Sequence, residues 1–181
     1  MISHAVYKGF WEMGRGFNLL ELTIIIAILS ILLLMAVPSF DGIMSRVKMK
    51  RLASELNSFL VQAKSEAVTR NKKLYVHFSF NTDNSISNGS WYIQLTDSAS
   101  STGNQLLYFS GAPFNKIEIS HSYNPAYITF DQVRGRPNGG TIEFFSVTDT
   151  VNRLKAVMAN PPGRIKVCAT SGAAYGYPSC S

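Results

Sequence analysis

Three groups of residues in this 181-residue sequence have types and spacings that could do chemistry. The first is Glu21, a lone carboxylate inside the apolar run 17–37. A carboxylate in hydrocarbon costs roughly 3 kcal/mol, so it either reaches the nearby interface or meets a cationic partner. The second is the cysteine pair Cys168 and Cys180, which suits one small disulfide loop in an oxidising compartment, with two reduced thiols as the alternative. The third is the set Arg153, Lys155, Arg164 and Lys166, the only charged side chains from Thr150 onward. Basic residues with no acid among them suit a polyanion such as nucleic acid, and they suit an ordinary solvated face equally.

Other chemistries find no support. His4, His77 and His121 lack ligand spacing, so no metal site is expected. There is no phosphate-cradling glycine loop, nucleophile elbow or metalloprotease helix, and the carboxylates of the globular part are scattered. No catalytic residue and no cofactor are therefore expected, and an enzyme is not the reading. The formal net charge is +6, but from Lys72 to Val133 acids outnumber bases, so the basicity is local.

The elements that must position these groups follow from hydrophobic pattern. At ~1.5 Å per helical residue the run 17–37 reaches roughly 31 Å, the thickness of a bilayer core, and it reads as a membrane-spanning helix. Pro38 should kink or interrupt it. Beyond Pro38, apolar residues recur at Met49, Leu52, Ala53, Leu56, Phe59, Leu60, Ala63 and Ala67, spacings of three and four that predict an amphipathic helix ending near Asn71. Stretches rich in β-branched and aromatic residues at 74–80, 91–95, 106–110, 116–120, 127–130 and 141–147 predict antiparallel strands separated by polar turns. The fold class expected is α+β, a long N-terminal helix packed on antiparallel sheet.

The N-terminus carries a resemblance. Gly14-Arg15-Gly16-Phe17-Asn18-Leu19-Leu20-Glu21, then Leu22-Thr23-Ile24-Ile25-Ile26-Ala27-Ile28-Leu29, resembles the class III signal of type IV pilins and pseudopilins. That resemblance implies cleavage by a prepilin peptidase between Gly16 and Phe17, methylation of the new N-terminal phenylalanine, and a bacterial single-pass inner-membrane protein with a periplasmic domain that later joins a filament with other major and minor pilins. The glycine precedes the apolar run, so the run stays on the mature chain. Glu21 would then be neutralised by the α-amino group of a neighbouring subunit's Phe17, which selects register. Segments follow as 1–16 leader, 17–38 membrane and assembly helix, 39–72 amphipathic helix and 73–181 β-rich domain. A positive-inside count points the other way, since Arg46, Lys48, Lys50 and Arg51 follow the span and only Lys8 and Arg15 precede it. The signal pattern and the cysteine pair outweigh that count.

Later motifs resemble the H-type pseudopilin and FimT/FimU minor-pilin domain: Ile128-Thr129-Phe130, Arg134-Gly135-Arg136, Gly140-Thr141-Ile142 and Gly163-Arg164-Ile165-Lys166-Val167-Cys168. At the C-terminus, 153–159 and 164–168 can pair across Asn160-Pro161-Pro162-Gly163. With an even loop Met158 faces Ile165 and Ala156 faces Val167, so Leu154, Ala156, Met158, Ile165 and Val167 share one side and Arg153, Lys155, Arg164 and Lys166 the other. Tyr175 and Tyr177 could stack on bases or simply pack. In FimT-like minor pilins a Gly-Arg-x-Arg motif is implicated in DNA capture, which the resemblance places on Arg164 and Lys166; a lysine at the second position keeps charge but loses the bidentate fork. The expectation is a minor pilin that primes or joins a pilus, with non-specific binding of double-stranded DNA as a further activity. The alternatives are an H-type pseudopilin of a type II secretion system and a membrane-anchored adhesin or sensor module.

Overall fold

A computed structural model describes residues 18–80 and 86–180, without the side chains of 35–40. Gly16 and Phe17 lie outside the described residues. The chain divides into two compact units, Met1–Phe40 and Asp41–Ser181.

Helix α1 runs from Leu19 to Thr69. Asn18 opens it: its carbonyl accepts from the Leu22 N–H at 3.1 Å, and its side-chain oxygen faces the Leu20 N–H at 3.5 Å. In the first unit, Leu and Ile side chains from Leu19 to Leu34 are exposed. The hydroxyls among them are satisfied within the helix, Thr23 donating to the Leu20 carbonyl at 2.8 Å and Ser30 to that of Ile26 at 2.7 Å. Among the described residues no helix is long and apolar enough to cross a membrane. Within the run 17–37 the described side chains stop at Leu34, whereas the run includes Phe17, Met35, Ala36 and Val37.

Of the kink or interruption expected at Pro38, the interruption does not occur: α1 continues through it. A proline removes one backbone donor and crowds the carbonyl one turn back, at about 3 kcal/mol, which leaves the hydrogen-bond ladder on either side intact. The helix ends on a Schellman motif. Asn71 takes φ 48°, its N–H bonds the Val68 carbonyl and that of Lys72 bonds Ala67, both at 3.1 Å.

In the second unit, the predicted stripe is the buried face of α1. Met49, Leu52, Ala53, Leu56, Leu60, Ala63 and Ala67 are fully buried and Phe59 is buried beside them. Among the described residues eight strands follow: β1 Leu74–Phe78, β2 Tyr92–Thr96, β3 Gln105–Ser110, β4 Ile117–His121, β5 Tyr127–Phe130, β6 Gly140–Ser146, β7 Asp149–Ala159 and β8 Arg164–Ala169. They form two four-stranded sheets, β3-β2-β1-β5 and β4-β6-β7-β8, with antiparallel pairing throughout.

Alternation explains how both sheets share one core with the helix. Leu74 and Val76, Ile93 and Leu95, and Ile128 and Phe130 point inward from the first sheet; Ile117 and Ile119, Ile142 and Phe144, and Leu154, Ala156 and Met158 do so from the second. All belong to one cluster with the α1 stripe. Each fully buried Leu, Ile or Phe contributes roughly 1.5–3 kcal/mol, so this cluster holds the second unit together.

Candidate functional site

The C-terminal hairpin has the expected register: Met158 lies opposite Ile165 and Ala156 opposite Val167. Leu154, Ala156, Met158 and Val167 are buried in the core, with Ile165 half-buried beside them. Arg153, Lys155, Arg164 and Lys166 alternate with these residues and so project from the other face. β8 is the last strand of its sheet. The tail covers only its far end, where the Ala169 N–H donates to the Pro178 carbonyl at 2.8 Å and the Cys180 N–H to that of Ala169 at 2.9 Å. Cys168 and Cys180 form a disulfide with Cα atoms 5.0 Å apart, which pins that crossing. Arg164 is exposed and Lys166 half-buried. With Val157, Ala159 and the two cysteines they line a pocket of about 170 Å³. Cations on an open edge also discourage edge-to-edge strand pairing.

The four cations are not equivalent. Glu143 on β6 sits directly opposite Lys155. One carboxylate oxygen lies 3.2 Å from Arg153 and the other 3.1 Å from Lys155. Arg153 also lies over the Phe145 ring, 4.1 Å from its centroid. Among the described residues Arg164 and Lys166 have no acidic partner. The hairpin's charge is thus concentrated on β8. Glu143 lies before the acid-free stretch, and only the pairing of β6 with β7 brings it over.

Two glycines carry a second feature. Gly163 ends the hairpin turn at φ 84°, and a Cβ there would stand 2.9 Å from the Cγ of Arg136. Gly135 has φ 60°, and a Cβ there would stand 2.7 Å from both the Cγ and the carbonyl oxygen of Lys64. The Lys64 ammonium in turn donates to the Gly163 carbonyl at 3.3 Å. The Arg134-Gly135-Arg136 loop, α1 and the hairpin turn are therefore in mutual contact, and Lys64 and Arg136 join Arg164 in one basic neighbourhood. Asp131 is not its counter-charge, because its carboxylate is occupied by its own loop. It accepts N–H groups from Val133, Arg134 and Arg136 at 2.8, 2.7 and 2.9 Å. Those bonds, that from Arg134 foremost, hold its carboxyl below the usual carboxylate range.

The two tyrosines pack. Tyr175 and Tyr177 lie partly buried against the core. The Tyr175 hydroxyl donates to Asp149 at 3.0 Å, and burial first, then Asp149, pushes its phenol up to about 12. Glu21, in the first unit, is exposed in the first turn of α1. The partial positive charge of a helix N-terminus favours a carboxylate there.

The sequence matches the family model described as type II transport protein GspH over residues 52–176. The chain belongs to the GspH family. Residues before 52, including Glu21, lie outside that match. No curated protein matches this GspH-family chain. Its fold is similar to the crystal structure of the type IV minor pilin FimU of Pseudomonas aeruginosa in space group P21, with 19% identity and a TM-score of 0.54 over 69% of this chain and 94% of that one. The same protein in space group P65 gives 16% identity and a TM-score of 0.50 over 66% of this chain and 95% of that one. At such identities the likeness is one of fold. The family is that of the type II transport protein GspH, the fold is like that of a minor pilin, and the α+β architecture expected from the sequence is the one observed.

Proposed function

We propose that this chain is a minor type IV pilin whose basic β8 edge binds double-stranded DNA without base readout. On this reading a prepilin peptidase removes residues 1–16 after Gly16, and the run from Phe17 to Val37 anchors the chain in the inner membrane. The β-rich domain stands in the periplasm, and the subunit then enters a surface filament with other pilins, Glu21 pairing with a neighbour's N-terminal amine. The observation that carries the DNA part is Arg164 and Lys166 projecting from an edge strand with no acidic partner among the described residues, while Arg153 and Lys155 are engaged by Glu143. A cationic edge without an aromatic platform favours phosphates over bases, so binding is weak, salt-sensitive and indifferent to sequence.

The test is duplex binding by the chain across a salt series, beside Arg164→Ala/Lys166→Ala. Binding that weakens as salt rises, with a log–log slope shallower by about 2 in the double variant, is the expected result. Wild-type binding that is absent at low salt, or unchanged in a folded double variant, overturns the DNA assignment.

The second reading, an H-type pseudopilin of a type II secretion system, is favoured by the description of the matching family. It uses the same anchor, Glu21 and domain, and needs no DNA. Secretion lost on deletion of the gene, with pili and DNA uptake intact, would select it.

A further inference from the structure

The basic surface does not end at the hairpin. An open depression of about 580 Å³ is lined by Lys73, Asp131, Gln132, Val133, Arg134 and Arg136. Lys73 comes from the end of the α1–β1 connection, and the rest from the loop after β5. Lys73 and Arg134 are exposed and Arg136 half-buried, and none of the three has an acidic partner among the described residues. Among the described residues the lining holds one acid, Asp131, which accepts three backbone N–H groups of its own loop and makes no ion pair with those cations. A concave wall with three cations against one carboxylate is net positive and so complementary to a phosphate group.

Arg136 connects this depression to the hairpin, because its side chain packs against Gly163, next in sequence to Arg164. The contact is close enough that no side chain fits at position 163, so the two basic surfaces are held adjacent. The geometry points to the Lys73–Arg134–Arg136 depression as a second phosphate site, taking a further backbone phosphate of the same DNA that lies on β8. This inference rests on the DNA reading above and extends its footprint from one strand edge to the loop after β5.

The experiment uses the full chain in non-ionic detergent and a 30-base-pair duplex of mixed sequence, titrated across salt. It compares wild type, Lys73→Ala/Arg134→Ala, the charge-reversed Lys73→Glu/Arg134→Glu, and Arg164→Ala/Lys166→Ala. Lys73 and Arg134 are exposed, so their variants keep the fold, checked by circular dichroism. Arg136 is left in place because it buttresses Gly163. The expected result is weaker binding by Lys73→Ala/Arg134→Ala, a salt slope shallower by about 2, and a larger loss on charge reversal. Affinity and slope equal to wild type in both loop variants, with Arg164→Ala/Lys166→Ala still defective, overturn the second site and leave the DNA reading standing. Absence of wild-type binding at low salt overturns both.

Discussion

At the scale of single residues, His121 ties stability to pH between neutrality and mild acid. His121 is buried, stacked on Phe78 at 4.3 Å between centroids. Its Nδ1 accepts the Tyr123 N–H at 3.2 Å, which leaves Nε2 as the donor to the Phe80 carbonyl at 2.9 Å. Burial holds this imidazole below its ordinary value of 6.5. A group whose folded value is lowered stays neutral in the fold while the unfolded chain takes up the proton, so stability is complete above about pH 6.5 and declines as pH falls below it. Urea unfolding between pH 7.5 and 5 should show that decline, and His121→Gln should flatten it at the cost of some stability at neutral pH. A wild-type midpoint independent of pH across this range would contradict the assignment. The charges of the proposed site resist such local reading. Arg153, Lys155, Arg164 and Lys166 look alike in the sequence, and Glu143, a neighbour only through strand pairing, separates them.

At the scale of elements, periodicity carried most of the information. The α1 stripe was legible because burial on one face of a helix requires spacings of three and four, and every residue of it is buried. Leu56→Ala should therefore lower stability by about 2–5 kcal/mol, read as a fall in the denaturant midpoint with unchanged slope. A change below about 0.5 kcal/mol would mean that this face is not the core. The hairpin register was legible for a related reason, since a shift of one residue would turn Leu154, Ala156 and Met158 out to solvent. Three things were not legible. The pairing of β4 with β6, which passes over β5 to the other sheet, depends on non-consecutive strands meeting, the continuity of α1 through Pro38 on cooperativity with its neighbours, and the seating of Gly135 on Lys64 and Gly163 on Arg136 on tertiary approach. The glycines did leave a trace, each preceding an arginine, but that spacing alone does not show that the two loops meet.

At the scale of the whole molecule, the chain joins an apolar helical segment to a domain with its own core. The helix exposes Leu and Ile from Leu19 to Leu34 and carries Glu21 in its first turn, the features on which the proposed anchoring and assembly rest. On the proposed function this is a filament subunit whose leader is removed after Gly16 and whose Glu21 serves assembly. The most direct measurement is recovery of the chain in filaments sheared from the cell surface, for wild type and Glu21→Ala, with mass spectrometry of the N-terminus. The account predicts wild-type protein in the sheared fraction beginning at a methylated Phe17, and a Glu21→Ala protein that is folded but retained in the membrane. Filament-bound protein still carrying residues 1–16, or normal incorporation of Glu21→Ala, would contradict it.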